Sequence, residues 1–200
     1  MNTFQNKGFI LLLVIIFVQG FSLVGIVSRG NRDFIGNIVG TTIFWLAFTV
    51  CEYIYKLRIN YYIRLAVVIS IIGDGFFGFY CNLYALSPFF DRIQHMFAAY
   101  ALALFFYAII MCFMESTMKV RWVTFIFVTA IGMAAGSFYE ILEFAVDTMM
   151  KPQILNQPSL QDTDLDLLSN TVGSVIAGFH SMYIRVSGQG NPPSMKARNS

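Results

Sequence analysis

The sequence predicts an all-α membrane protein, a polytopic bundle of about six transmembrane helices, and three observations support this fold class. The composition is 57% hydrophobic and only 12% charged, whereas soluble domains have about 45–50% apolar and about 25% charged residues. The mean hydropathy is +0.66. Six apolar stretches are long enough to cross a hydrocarbon core, which takes about 20 helical residues. The net charge of +2 is too small to indicate a nucleic-acid partner.

The spans can be placed in order along the chain. The first follows Lys7, and apolar residues continue through 21–27, so we expect an uncleaved span rather than a signal peptide. The fourth follows Ser87 and Pro88, a capping residue and a proline suited to a first helical turn. Residues 1–186 are expected to form one transmembrane helical domain, and the polar residues 187–200 a disordered cytoplasmic tail. The predicted spans are 9–28, 34–55, 61–83, 92–115, 121–146 and 167–186, the last being the least apolar.

Basic residues predict the orientation of the bundle. With the N-terminus inside, nine basic residues lie on the inner side and four on the outer side. This excess predicts that both termini are cytoplasmic and that the long connection 147–166 faces outward. The inner set is Lys7, Lys56, Arg58, Arg64, Lys119, Arg121, Arg185, Lys196 and Arg198, and the outer set is Arg29, Arg32, Arg92 and Lys151.

Three carboxylates share one stripe of the fifth span. Glu140, Glu143 and Asp147 are spaced by three and then four residues, so they project to the same side. A carboxylate at a membrane helix centre costs about 2.5–3.5 kcal/mol on insertion scales, which indicates a working site. Glu140 and Glu143 would repel by about 3 kcal/mol at about 6 Å and an effective dielectric of about 20. Either one is protonated, or a cation or a basic side chain, for which Arg92 is the main candidate, lies between them.

The start of the fourth span holds a second polar pair. Asp91 and His95 are one turn apart, the spacing of two metal ligands or of a carboxylate that orients an imidazole. A structural interpretation is also open, because an Asp in a first helical turn is favoured by the helix dipole.

The sixth span begins with a third polar set. Asp162, Asp166 and Asn170 recur every four residues, and Gly173 and Ala177 continue their stripe. A purely structural capping role is an equally open interpretation of Asp162 or Asp164. It explains Asp166 and Asn170 less well, because they extend inward.

Small residues indicate which helix faces meet. Gly132 and Gly136 lie on the stripe of Glu140, and small residues four apart allow close helix approach in membranes. Antiparallel docking on the small face of the sixth span would bring the two glutamates towards Asp166 and Asn170. By contrast, Glu52 and Lys56 form an i,i+4 pair at an inner helix end, which we interpret as structural.

Together these patterns predict one pocket in the outer half of the bundle. Carboxylates and imidazole are ligands for Mg, Mn, Zn or Fe, and a divalent metal would remove the carboxylate repulsion. The candidate catalytic residues are Glu140, Glu143 and His95; the candidate metal ligands are Asp91, His95, Glu140, Glu143, Asp162 and Asp166; Asp74 and Asn170 are further polar members.

Three motifs resemble those of two related groups of bacterial membrane proteins, the YjdF-type inner-membrane proteins and the wider VanZ-like family linked to teicoplanin resistance. They are Asp91-x-x-x-His95, Glu140-x-x-Glu143-Phe144, and Gln161-Asp162-Thr163-x-x-Asp166-Leu167-x-x-Asn170-x-x-Gly173. YjdF-type members often carry Trp where this chain has Leu142 and Leu165. The resemblance implies a multi-pass protein of the bacterial plasma membrane.

Three functions remain open from the sequence. The first is a metal-dependent site at the outer face that binds or acts on a phosphate-bearing envelope lipid or another small ligand. The second is an ion- or proton-coupled transporter, which at six helices would be small unless it forms a homodimer. The third is a noncatalytic envelope or resistance factor whose polar cluster locks helices together. Whether the protein is an enzyme is not decided, and membrane lipids are its expected surroundings.

Overall fold

The computed structural model describes residues 3–30, 32–114, 118 and 120–184, with side chains described from Gly8 onward. The predicted tail, 187–200, lies outside these residues. Helices account for most of the described chain, and a π-helical segment, Gly73–Tyr80, continues α3. The α-helices are α1 (Thr3–Ser28), α2 (Ile35–Tyr55), α3 (Tyr61–Ile72), α4 (Leu83–Leu86), α5 (Phe90–Phe113), α6 (Arg121–Met150) and α7 (Leu160–Ser181).

The predicted helical membrane fold is confirmed. Five stretches are long and apolar enough to cross a membrane: Gly8–Ser28, Ile35–Tyr55, Tyr61–Tyr80, Phe90–Phe113 and Arg121–Met150. The sixth predicted span corresponds to α7, which is less apolar but has 22 residues, or about 33 Å of helix. It packs extensively against α5 and α6, and the Arg121 guanidinium at the start of α6 lies 5.7 Å from the Tyr183 ring centroid just after α7. Thus α7 runs antiparallel to α6 and completes a six-helix bundle.

Contacts between helix termini show which ends of the bundle coincide. A Cβ atom on Gly8 would lie 2.8 Å from the Arg64 guanidinium, so the start of α1 meets the start of α3. The rings of Tyr55 and Phe113 are 5.8 Å apart, which places the ends of α2 and α5 together. Both ends of the described chain therefore lie at one end of the bundle, here called the basic end. The opposite end, with the connections 29–34, 81–89 and 151–159, is called the acidic end; that it faces outward stays a prediction.

The last helix begins earlier than the sequence pattern suggested. It starts at Leu160 rather than at 167, because the Ser159 hydroxyl accepts a hydrogen bond from the Asp162 amide at 3.1 Å and caps the helix. Asp162 and Asp166 consequently lie in the first two turns of α7 and not in a loop.

The third predicted span, 61–83, is helical only to Tyr80. Its last eight residues form the π segment, in which the Cys81 amide donates to the Phe76 carbonyl at 2.8 Å. Such wide turns occur often at functional sites. Gly75 packs closely on α1, because a Cβ at this position would meet the buried Gln19 side-chain amide.

The fourth span also begins differently from the prediction. Residue Phe89 occupies the cap position of α5 and makes no side-chain capping hydrogen bond, so the predicted Ser87 cap is wrong. The Ser87 amide instead closes α4 by donating to the Leu83 carbonyl at 2.9 Å.

Small residues bring α6 and α7 together as the sequence predicted, and one of them also brings α7 close to α5. A Cβ on Gly136 would lie 2.7 Å from the Asn170 side chain, and one on Gly132 would lie 2.5 Å from the Ser174 hydroxyl. Gly173 packs on α5 instead, since its Cβ would lie 1.9 Å from the Met96 carbonyl oxygen. These close approaches set the distance at which the polar side chains of the three helices meet.

One buried ion pair lies at the basic end, and it differs from the predicted one. Glu52 pairs with Arg64 of α3 at 3.1 Å rather than with Lys56. Lys56 adopts a left-handed conformation, with φ of 53°, that ends α2. The Arg64 side chain is only 1% exposed, so this pair is a structural link between α2 and α3.

Candidate functional site

His95 stands at the centre of the polar residues near the acidic end. Its Nδ1 atom lies 3.3 Å from Glu140 of α6, while its Nε2 atom lies 3.3 Å from Asp91 and 3.8 Å from Asp166 of α7. The imidazole is 8% exposed. One buried ring therefore lies between carboxylates from three helices, with one carboxylate near Nδ1 and two near Nε2.

Two groups of potential metal ligands share this imidazole. One consists of Asp91, His95 and Asp166, and the other of His95, Glu140 and Glu143. Within each group the ligand atoms all lie within 4.8 Å of one another. Because a neutral imidazole has one nitrogen acceptor and one N–H donor, it serves one of these groups as a ligand at a time.

Arg92 organises the carboxylates on the Nε2 side. Its guanidinium lies 2.7 Å from Asp91, 2.7 Å from Asp166 and 2.6 Å from Asp162. The sequence suggested Arg92 as a partner of the two glutamates, and that suggestion is wrong. The α5 helix directs it towards α7, where it already neutralises part of the negative charge.

Glu140 and Glu143 differ in their surroundings. Glu140 is 5% exposed. Its carboxylate accepts a hydrogen bond from the side-chain amide of Gln157 at 3.0 Å and a longer one from that of Asn170 at 3.5 Å. Glu143 is half-buried and, within the described part of the chain, makes no hydrogen bond or ion pair. Among the described residues, the one basic side chain that pairs with either glutamate is the His95 imidazole.

The connection between α6 and α7 folds back over the glutamates. Asp147 accepts hydrogen bonds from the backbone amides of Asn156 and Gln157 at 3.0 and 2.8 Å. This holds Gln157 where its side chain also donates to the Glu140 carbonyl at 2.8 Å. Asp147, which shares the stripe of the glutamates, therefore shapes the covering loop rather than joining the site.

Asp74 lies in the π segment beside the cluster. It is 6% exposed, and one of its oxygens accepts a hydrogen bond from the Tyr84 hydroxyl at 2.7 Å. Burial raises the pKa of Tyr84, and the Asp74 carboxylate raises it further, so the hydroxyl stays protonated and donates. The other Asp74 oxygen is buried and has no hydrogen-bond partner among the described residues.

The structure thus gathers the predicted residues, and it adds some that sequence patterns did not show. We call Asp91, Arg92, His95, Glu140, Glu143, Asp162 and Asp166 the His95 cluster; Asp162 reaches it through Arg92 alone. Sequence reasoning missed Gln157, Tyr84 and Tyr139, whose ring centroid is 5.9 Å from that of His95. The only sequence signal for Tyr139 was its position next to Glu140, and for Gln157 and Tyr84 there was none.

The charges of the cluster favour cations. Five carboxylates face one guanidinium and one imidazole. In a membrane-spanning bundle such an excess of negative charge is costly, and a bound cation or protons relieve it. Cation binding or proton exchange are therefore what this arrangement can do chemically.

Comparisons with known proteins agree with the membrane fold. A family model described as a predicted membrane protein (DUF2238) matches residues 9–186, a range that includes every residue of the His95 cluster. A protein of Thermotoga maritima, described as uncharacterized, is 28% identical over 169 residues, which cover 80% of this chain and 82% of the relative. No solved structure matches the chain.

Proposed function

Since the chain belongs to the DUF2238 family of predicted membrane proteins, we propose that its function is to bind a divalent metal at the His95 cluster, within a multi-pass membrane bundle. The observation that supports this proposal is the triad of His95, Glu140 and Glu143, whose ligand atoms lie within 4.8 Å of one another. A metal at their centre would separate two carboxylates that otherwise repel, and three protein ligands would leave a coordination position open for a substrate.

Of the two ligand groups, the glutamate side suits a metal better. On the Nε2 side, Arg92 already lies 2.7 Å from both Asp91 and Asp166, so a metal there would meet a positive charge. On the Nδ1 side, the one ion pair of Glu140 among the described residues is with His95 itself, and its other partners, Gln157 and Asn170, are neutral amides. With the metal on Nδ1, the Nε2–H group would donate to Asp91 at 3.3 Å, the carboxylate–histidine–metal arrangement that fixes an imidazole.

The donor set narrows the choice among Mg, Mn, Zn and Fe. One imidazole nitrogen with carboxylate oxygens suits Zn, Fe or Mn better than Mg, which prefers oxygen ligands and water. Asp91 and Asp166 then act as supports for the imidazole, and Asp162 acts through Arg92. Asp74 and Asn170 are further polar side chains beside the His95 cluster.

The proposal also includes a relationship to YjdF-type and VanZ-like proteins and a class of substrate. The motifs that resemble those of YjdF-type and VanZ-like proteins contain the histidine and all the acidic members of the His95 cluster, which supports a relationship to those groups. With the acidic end facing outward from the bacterial plasma membrane, as the basic residues predict, the open coordination position would serve a phosphate-bearing envelope lipid or another small ligand. Glu140, Glu143 and His95 are the residues proposed to touch it.

Elemental analysis of protein purified in mild detergent tests the metal. Stoichiometric Zn, Fe or Mn is expected in the natural protein, and its loss is expected in Glu143→Gln and in His95→Gln. Asp164→Asn is the matched control, because Asp164 is an exposed acid on α7 outside the cluster. If folded protein takes up no metal when Zn, Fe and Mn are supplied, the proposal fails.

A second candidate, ion- or proton-coupled transport, is favoured by one specific observation. His95 has carboxylates at both ring nitrogens, so its imidazole could pass a proton between Glu140 and Asp91. Proton uptake by proteoliposomes under chelator, lost in His95→Gln, would support transport over metal chemistry. A transporter of six helices would be expected to work as a homodimer, which its mass in detergent would show.

A further inference from the structure

An exposed apolar groove runs along the contact between α5 and α7 at the acidic end. It has a volume of about 410 Å³ and is apolar apart from Arg92 and Ser169. Its outer wall is exposed, with Phe89 72% and Leu168 62% accessible. The remaining lining residues are Ile93, Met96, Leu165 and Val172.

The groove has an apolar inner part and a charged outer end. Its inner lining residues, Met96 and Val172, lie beside the contact between Gly173 and the Met96 carbonyl. From Leu165 to Val172 the groove follows two turns of α7, about 10 Å at 1.5 Å per residue. At its outer end Arg92 holds Asp91, Asp162 and Asp166, so the groove leads directly to the His95 cluster.

We propose that this groove holds one acyl chain of a membrane lipid whose headgroup carries a primary ammonium group. The location selects a lipid, because the groove lies on α5, which is long and apolar enough to cross a membrane, and lipid tails fill the space beside such a helix. The charges select the headgroup. Three carboxylates face one guanidinium and the His95 imidazole, so acidic groups outnumber basic ones, and the rim attracts an ammonium group and repels an anionic headgroup.

The rim can also reach such a headgroup. The side chains of Asp91 and Asp162 are 25% and 16% exposed, so each keeps part of its carboxylate open to a donor beyond Arg92. An ammonium group offers N–H donors to these oxygens, whereas a choline headgroup offers none. The inference rests on the proposed function in one respect: it names the lipid class that would lie beside the metal triad.

Lipid retention by the full-length protein tests the inference. Protein is reconstituted, under chelator, into vesicles of equal parts phosphatidylethanolamine, phosphatidylglycerol and phosphatidylcholine, then extracted in mild detergent, and the retained lipids are quantified. We expect about fivefold enrichment of phosphatidylethanolamine, the equivalent of about 1 kcal/mol from a partly exposed ammonium–carboxylate contact. Ser169→Trp fills the groove and should abolish the enrichment. Leu142→Trp, at a 45% exposed position of α6 outside the groove, should retain it.

The outcomes separate this inference from the metal proposal. Preferential retention of phosphatidylglycerol, or equal retention of phosphatidylcholine, would overturn the assignment of the headgroup. Enrichment that persists in Ser169→Trp would show that the lipid does not bind in this groove. Because all measurements are made without metal, enrichment can be found in a protein that binds no metal at all, in which case only the metal proposal fails.

Discussion

Removal of Arg92 is the sharpest test of the electrostatics in the cluster. The Arg92 Nη1 atom lies 2.7 Å from an oxygen of Asp91 and 2.7 Å from an oxygen of Asp166, so these two oxygens are at most about 5.4 Å apart. Without the guanidinium, two carboxylates at that distance repel by about 3 kcal/mol at an effective dielectric of about 20. Partial solvent exposure of Arg92 lowers this figure, and we expect Arg92→Gln to destabilise the protein by about 1.5–3 kcal/mol.

A double-mutant cycle measures the same repulsion directly. Asp166→Asn removes one of the two charges, so in the Arg92→Gln background it should restore about 1–2 kcal/mol of the lost stability, although it destabilises the natural protein. The assay is reversible unfolding in mixed detergent micelles. Arg121→Gln is the control, because Arg121 is exposed and rests on a tyrosine ring, and its loss should cost less than about 1 kcal/mol. A loss in Arg92→Gln no larger than the control's, or no rescue by Asp166→Asn, would refute the reasoning.

Three further outcomes follow from the packing, the loop and the topology. Gly173→Ala should destabilise the protein by about 1–3 kcal/mol in the same unfolding assay, because the alanine Cβ would clash with the Met96 carbonyl. Gly40→Ala is the control and should not destabilise it, since a Cβ there meets nothing within 4 Å. Equal effects of the two substitutions would contradict the close packing. Asp147→Asn should speed amide exchange of residues 153–157 about tenfold, since weakened charge-assisted hydrogen bonds cost about 1.4 kcal/mol. Unchanged exchange would show that Asp147 does not hold the loop. A reporter fused after Ser200 should be active only in the cytoplasm, and activity outside the cell would reverse the predicted orientation.

Features with a short sequence period were predictable. Spacings of three and four residues placed Glu140 with Glu143 and Asp91 with His95, because a helix turn converts such spacings into shared faces. The glycine stripes predicted the antiparallel contact of α6 with α7, which the structure confirms at Gly136. Composition and hydropathy predicted the membrane fold, and five helices are long and apolar enough to cross a membrane.

Long-range partners were not predictable. Arg92 pairs with Asp166, which lies 74 positions later in the chain. Glu52 pairs with Arg64 and not with Lys56, which is nearer in sequence. Local spacing leaves such partners equivalent, and tertiary packing decides between them. The start of α7 was misplaced for a related reason. Its first turns are polar and resemble a loop, yet Ser159 caps them and the carboxylates face α5.

The contact between His95 and Glu140 has a consequence for how the chain enters the bilayer. During insertion, α6 alone would expose two glutamates to lipid, at a cost of about 2.5–3.5 kcal/mol each near its centre. α5, which comes before it during synthesis, presents the imidazole that meets Glu140 at 3.3 Å. The two helices are joined by only seven residues, 114–120. Insertion of α5 and α6 as one hairpin would therefore hide the first acid before it reaches lipid, and α6 would depend on its predecessor for entry.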